Sequence, residues 1–260
     1  MPNGLRLQRP RDHDRPAASP AGRDMKGASL AMRLDNVRRD AAHWGWFRAL
    51  LARLLDRTQH WLGVYLFRVN IRPLPSRPTR PEPPDGIRVC VLRLDQALAA
   101  TADPALDLHP DFVRVTMQQG DLVCGAYDGD RLIAYAWRSS VAAPFYEGLW
   151  VKVGYHYHYA YRHYVLPEYR GRRVQTAMLQ LADRESLKRG CTHEMDISPV
   201  PNLASLGAGN ALGRKRIGFA GYLTVFGQTF SFMTPRVRDH GVVMFRPHAR
   251  IPIGLVPERT

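Results

Sequence analysis

Between Tyr164 and Leu179 the chain reads YVLPEYRGRRVQTAML, with Arg170, Arg172 and Arg173 crowded around Gly171. A strand-like run ends at Leu166, Pro167 removes a backbone donor, and the pattern after Arg173 is helical. The first turn of a helix carries N–H groups without intrahelical partners and a partial positive charge. A strand, a basic turn and a helix start therefore make an anion site. Guanidinium groups match phosphate oxygens in geometry as well as charge, and Gly171 permits a sharp turn and close backbone approach. This combination predicts a diphosphate cradle; a basic loop on a solvated helix start is the plainer reading.

A second group of candidates lies just upstream, in YHYHYAYRHY. Strict alternation puts Tyr155, Tyr157, Tyr159 and Tyr161 on one strand face, with His156, His158 and Arg162 on the other. Imidazole titrates near neutrality, so His158 and His163 are candidate proton acceptors, with Glu147 and Glu194 as carboxylate alternatives. The simpler role for the aromatics is cross-strand packing. No metal is expected: His156, His158 and His163 lack an accompanying cysteine or glutamate ligand pattern.

The elements that position these groups alternate after Gly86. IRVCVLR reads as a strand, HPDFVRVTMQQ as a helix, and DLVCGAY with RLIAYAWRSS as a hairpin about Asp128-Gly129. FYEGLWVKV and YHYHYAYRHYVL read as strands. A helix over about 172–189 has Val174, Ala177, Met178 and Leu181 as its apolar face and Gly190 as its stop. THEMDISPV, AGYLTVFG and GVVMFRP are further strands, with a small-residue-rich helix running to about Arg216. The order predicts an α+β fold: a mixed, mostly antiparallel central sheet flanked by helices.

Around that core we expect a disordered basic extension over 1–38, an amphipathic helix and strand over 39–72, and a Pro-rich linker over 73–85. The domain proper is expected over 86–250. Deleting residues 1–38 should leave the fold and ligand binding intact, which a melting curve of the truncated chain would check. Three cysteines, Cys90, Cys124 and Cys191, fit neither a disulfide framework nor a zinc pattern and read as buried free thiols in reducing cytoplasm. Thirty-seven Lys and Arg against 23 Asp and Glu give a net charge of +14. Such a field attracts polyanions: a phosphorylated cofactor, nucleic acid or an anionic membrane.

The segment Tyr164–Leu179 resembles the acetyl-CoA-binding motif of the GNAT (GCN5-related N-acetyltransferase) superfamily. In that motif a strand, a Pro-x-x-Arg-Gly turn and a helix start hold the cofactor. Here both consensus glycines are replaced, by Arg173 and Gln175. The hairpin YDGDRLIAYAW, the strand DISPV, the helix start Asn202-x-x-Ser205 and Gly218-Phe219 follow in the family's order. The resemblance covers roughly residues 86–246 and implies a GNAT-like fold. It further implies transfer from acetyl-CoA, or another acyl-CoA, to a primary amine of a small molecule or peptide by direct attack. It assigns the cofactor to Tyr164, Val165, Leu166, Arg170, Gly171, Arg172, Arg173, Val174, Gln175, Asn202 and Ser205.

The family's frequent general-acid tyrosine has no match; Arg214 falls near its position, and either Tyr222 or solvent is the substitute considered. Two other readings stand beside this one. The first is a GNAT-like module that binds acyl-CoA without turnover. The second is a nucleic-acid or anionic-membrane binder, peripheral at the inner membrane surface, that uses the helix near Trp44–Leu62. A helix that docks its apolar stripe on the domain is the simpler reading of that segment.

Overall fold

The computed structural model describes residues 45–77, 80–202 and 212–247, together with Ala42 and Gly209. The chain divides into two compact units, Met1–Leu50 and Leu51–Thr260. The predicted 1–38 extension, Ser205 and most of the small-residue-rich helix lie outside the described residues.

Helix α1 (Trp46–Leu62) leads into strand β1 (Val64–Pro73). The sequence reading sets β1 apart from the domain, but it lies inside the sheet. It pairs antiparallel with β8 (His193–Pro199) over Phe67–Pro73 and with β9 (Lys215–Val225) over Val64–Ile71. Alternation explains the placement: Phe67 and Val69 are buried on one face, while Arg68, Asn70 and Arg72 face the other, where polar partners await them. The Pro-rich segment after β1 is thus a crossover within the domain. Leu74 donates its N–H to Thr192 O at 2.8 Å, and the N–H of Glu82 meets Gln180 Oε1 at 3.3 Å.

The crossover ends in β2 (Ile87–Val91), an edge strand. Helices α2 (Leu94–Ala100) and α3 (Pro110–Gln118) precede the hairpin β3 (Leu122–Asp128) and β4 (Arg131–Ser139), which turns at Gly129-Asp130. Strand β7 (Tyr157–Val165) lies beside β4, and helix α4 (Val174–Lys188) links it to β8. β10 (Gln228–Met233), the other edge, completes the order β10-β9-β1-β8-β7-β4-β3-β2. Only β7 and β8 are parallel among the described pairs, so the mixed, mostly antiparallel sheet is as expected.

The predicted single strand FYEGLWVKV is instead a break: Tyr146–Gly148 form a 3-10 turn between β5 (Ala142–Pro144) and β6 (Trp150–Lys152). With β11 (Val243–Phe245), which follows the short helix α5 (Pro235–Asp239), these strands form a small second sheet. Phe145, Leu149 and Val151 from this layer pack with Phe67, Val69 and Tyr222 of the main sheet. Tyr222 is fully buried there and stacks on Tyr65 with ring centroids 4.9 Å apart. Helix α1 also departs from expectation. Ala52 is buried, whereas Leu51, Leu54, Trp61 and Leu62 are exposed, so the apolar stripe is not the docked face.

Candidate active site

Two features of β7 open the site. First, its pairing with β8 ends at Ala160↔Asp196, although β7 continues to Val165 and β8 to Pro199. Beyond that point the two parallel strands part. Second, a bulge interrupts the β4–β7 register: Arg138 pairs with Ala160 and Trp137 with Arg162, leaving Tyr161 as the extra residue. The bulge overturns the strict alternation expected from sequence. Arg162 shares the Trp137 face and lies over the Phe112 ring at 4.7 Å, rather than siding with His158. His156 precedes the strand with φ of 69°.

At the end of β7 a cleft of about 470 Å³ is lined by His163, Tyr164, Val165, Tyr169, Arg170, Gly171, Arg173, Val174, Gln175 and Thr176. Most of the predicted cradle residues therefore converge. Leu166 does not line it; it is buried and donates its N–H to Ile133 O. Arg172 is exposed, with its guanidinium 5.5 Å from the Tyr169 ring. Asn202 follows β8 and lies outside the cleft lining.

Local backbone geometry explains the cradle. Helix α4 starts without a side-chain cap and without an acidic residue in its first turn, so its leading N–H groups face the cleft with an uncompensated partial charge. Gly171 has φ of 78°, and a Cβ there would meet nothing within 4 Å. Gly171 thus supplies the left-handed turn expected from sequence, with open space on the side a Cβ would occupy. Arg173, the N-cap, also adopts the left-handed region, φ 61° and ψ 8°. The position keeps a glycine-like conformation while adding a cation, at a backbone cost of order 1 kcal/mol. Arg170 Nε donates to Val165 O at 3.1 Å, which ties the turn to the strand end.

Beneath the cleft lies a charge network that sequence reasoning did not find. Arg72 forks onto Asp183 (2.7 and 2.9 Å) and Glu194 (2.8 and 3.1 Å). Arg138 donates to Asp183 at 2.7 Å, to Ser186 at 3.0 Å and to Glu194. Arg214 reaches Glu194 at 2.6 Å and Asp196 at 3.5 Å. All six charged groups are nearly or fully buried. They join β1, β4, β8 and α4, and so hold the cofactor helix against the sheet. The only sequence signal was charged residues at positions inside strands, which alternation alone assigns to solvent.

This network reassigns several candidates. Three guanidinium groups hold Glu194 ionised well below the usual carboxylate range despite its burial, so it is not a free base. His158 is fully buried, with Nδ1 2.6 Å from Ser186 Oγ, and does not line the cleft. His163 does line it, and its Nε2 is buried with no hydrogen-bond partner among the described residues. Glu147 sits on the Tyr146–Gly148 turn, and its side chain lies outside the described set. Tyr222, buried between the two sheets, is not at the cleft and does not replace the missing acid. Of the cysteines, Cys124 and Cys191 are buried and Cys90 is half-buried, all as free thiols.

Burial, reinforced by nearby arginines, pushes His158 down to about 4 and His163 to about 3. Both rings are neutral in the folded protein at neutral pH, while the unfolded chain protonates them near 6.5. Stability contributed this way is present above 6.5 and lost as pH falls toward the folded values. Asp121, pushed up to about 6 by burial, opposes this between roughly pH 4 and 6. Replacing His163 by Asn is expected to remove about 2 kcal/mol of the stability difference between pH 7 and 5. Chemical unfolding at the two pH values checks it.

Residues 91–213, a little under half of the chain, match the model of the acetyltransferase (GNAT) family. Among solved structures, a GCN5-related N-acetyltransferase from Sphaerobacter thermophilus is 16% identical with TM-score 0.43, covering 76% of this chain and 67% of that one. The aminoglycoside 6'-N-acetyltransferase AAC(6')-Ih from Acinetobacter baumannii is 22% identical with TM-score 0.39, covering 49% and 90%. A Drosophila protein is 12% identical with TM-score 0.45; 71% of this chain is covered, but only 57% of that protein's length. No curated protein sequence matches the chain.

Proposed function

We propose that the protein transfers an acyl group, acetyl by default, from acyl-CoA to a primary amine of a small molecule or peptide. The observation that carries this reading is the cleft itself. It joins the free start of α4 and two arginines to the point where β7 and β8 part. The diphosphate of CoA would meet the N–H groups of Val174–Thr176 with Arg170 and Arg173. The pantetheine would then run along the unpaired edge of β7, where main-chain groups near Val165 orient the thioester carbonyl. The amine attacks that carbonyl directly; a tetrahedral intermediate collapses with loss of the thiolate.

His163 is the proton acceptor we favour, because it is the candidate at the cleft. Burial keeps the ring neutral at neutral pH, so a lone pair is free to take the proton the attacking amine loses, and the same burial makes it a weak base. Replacing His163 by Ala is expected to lower kcat about a hundredfold with little change in acetyl-CoA affinity. Full activity would transfer the role to Glu147. Replacing Arg170 and Arg173 together by Ala should weaken acetyl-CoA binding at least about tenfold; unchanged affinity would sink the cradle.

One observation favours a second reading, a module that binds acyl-CoA without turnover. Arg214, near the place of the family's acid, is locked onto Glu194 and Asp196. Thiol release from acetyl-CoA across a panel of amines separates the two readings. With its cysteines free, the protein is proposed to act in reducing cytoplasm.

A further inference from the structure

The end of α1 and the tip of the β9–β10 hairpin meet. Thr224 donates its N–H to Gly63 O at 2.9 Å, which holds the helix terminus beside the strand end. One residue further, Val225 pairs with Gln228, leaving a two-residue loop of Phe226 and Gly227, with φ of 47° and 75°. Positive φ at both positions is the tight hairpin turn that favours Asn or Gly at its first place. Phe226 stands there instead, in a conformation that bulky side chains rarely adopt, and it is fully exposed at 102%. Trp61 is 84% exposed at the same end, with Leu62 and Val225 exposed beside it.

Among the described residues these side chains project to the surface and play no part in the cleft at the end of β7. Projecting aromatics on a cationic protein suit the headgroup boundary of an anionic bilayer. Arg57 lies one helical turn before Trp61 and is exposed, and the chain carries a net charge of +14. No described helix is long and apolar enough to cross a membrane. We propose that Trp61, Leu62, Val225 and Phe226 form a docking tip that inserts peripherally into an anionic lipid surface. This rests on features separate from the acyl-CoA cleft.

The test is co-sedimentation of the full chain with two kinds of vesicle. One is phosphatidylcholine alone; the other contains about one-third phosphatidylglycerol. The variant is Trp61→Gln with Phe226→Asn; Asn relieves the backbone strain, so the fold should be retained, as a melting curve would verify. Wild type is expected to pellet with the anionic vesicles, and the variant to partition at least about tenfold less. Three results would overturn the proposal: no binding by wild type; equal binding by the variant, which assigns attachment to basic charge alone; or vesicle-independent self-association abolished by the variant, which makes a second copy the occupant.

Discussion

Deleting residues 1–73 is expected to leave no cooperatively folding domain. The deletion removes β1, a strand paired on both edges in the middle of the eight-stranded sheet. Without it β9 and β10 lose their connection to β8, Phe67 and Val69 leave the core, and Arg72 leaves the charge network. Burial of two such apolar side chains alone contributes roughly 3–6 kcal/mol, comparable to the whole stability of many domains. Circular dichroism and urea unfolding of the truncated chain would check it. A soluble truncation with a sharp transition would mean that another strand can fill the gap.

The second large effect concerns Glu194. Its carboxylate accepts from Arg72, Arg138 and Arg214 in a site with no access to water. Replacing it by Ala leaves three buried guanidinium groups facing two remaining carboxylates, Asp183 and Asp196. Breaking a buried ionic cluster in this way costs about 3–5 kcal/mol, which lowers Tm by on the order of 10 °C in a domain this size. Because Asp183 and Ser186 lie on α4, the same change should loosen the cofactor helix and weaken acetyl-CoA binding. A melt within a degree of wild type would show that the network contributes little.

The sequence made the cradle legible because its parts are local. A strand end, a proline, a glycine and a run of arginines are contiguous, and the helix start that completes them follows directly. The main strands and α4 were legible for the same reason, their periodicity being set by neighbours along the chain. What was not legible depends on partners distant in sequence. Nothing in VYLFRVNIRP says that it inserts between β8 and β9, and proline content beyond it suggested a linker where the chain crosses its own domain. QTFSFM is short and uncharged, and its strand character comes from pairing with β9.

The candidate base shows the same limit from the other side. Side-chain type nominated His158, His163 and Glu194 alike, because each can accept a proton. Burial separates them: Glu194 is consumed by arginines, His158 by the interior beside Ser186, and His163 faces the cleft because a bulge resets the phase of β7. A bulge is a one-residue event, invisible to a period-two pattern.

The central claim is that the arginine-rich helix start is a specific acyl-CoA site. Its most direct test is calorimetric titration of the purified chain at moderate salt with acetyl-CoA, and with CoA and ATP as controls. Saturable binding in the micromolar range that prefers acetyl-CoA to ATP is the predicted result. Equal weak binding of all three, or none, would contradict it and leave Arg170, Arg172 and Arg173 as a polyanion patch.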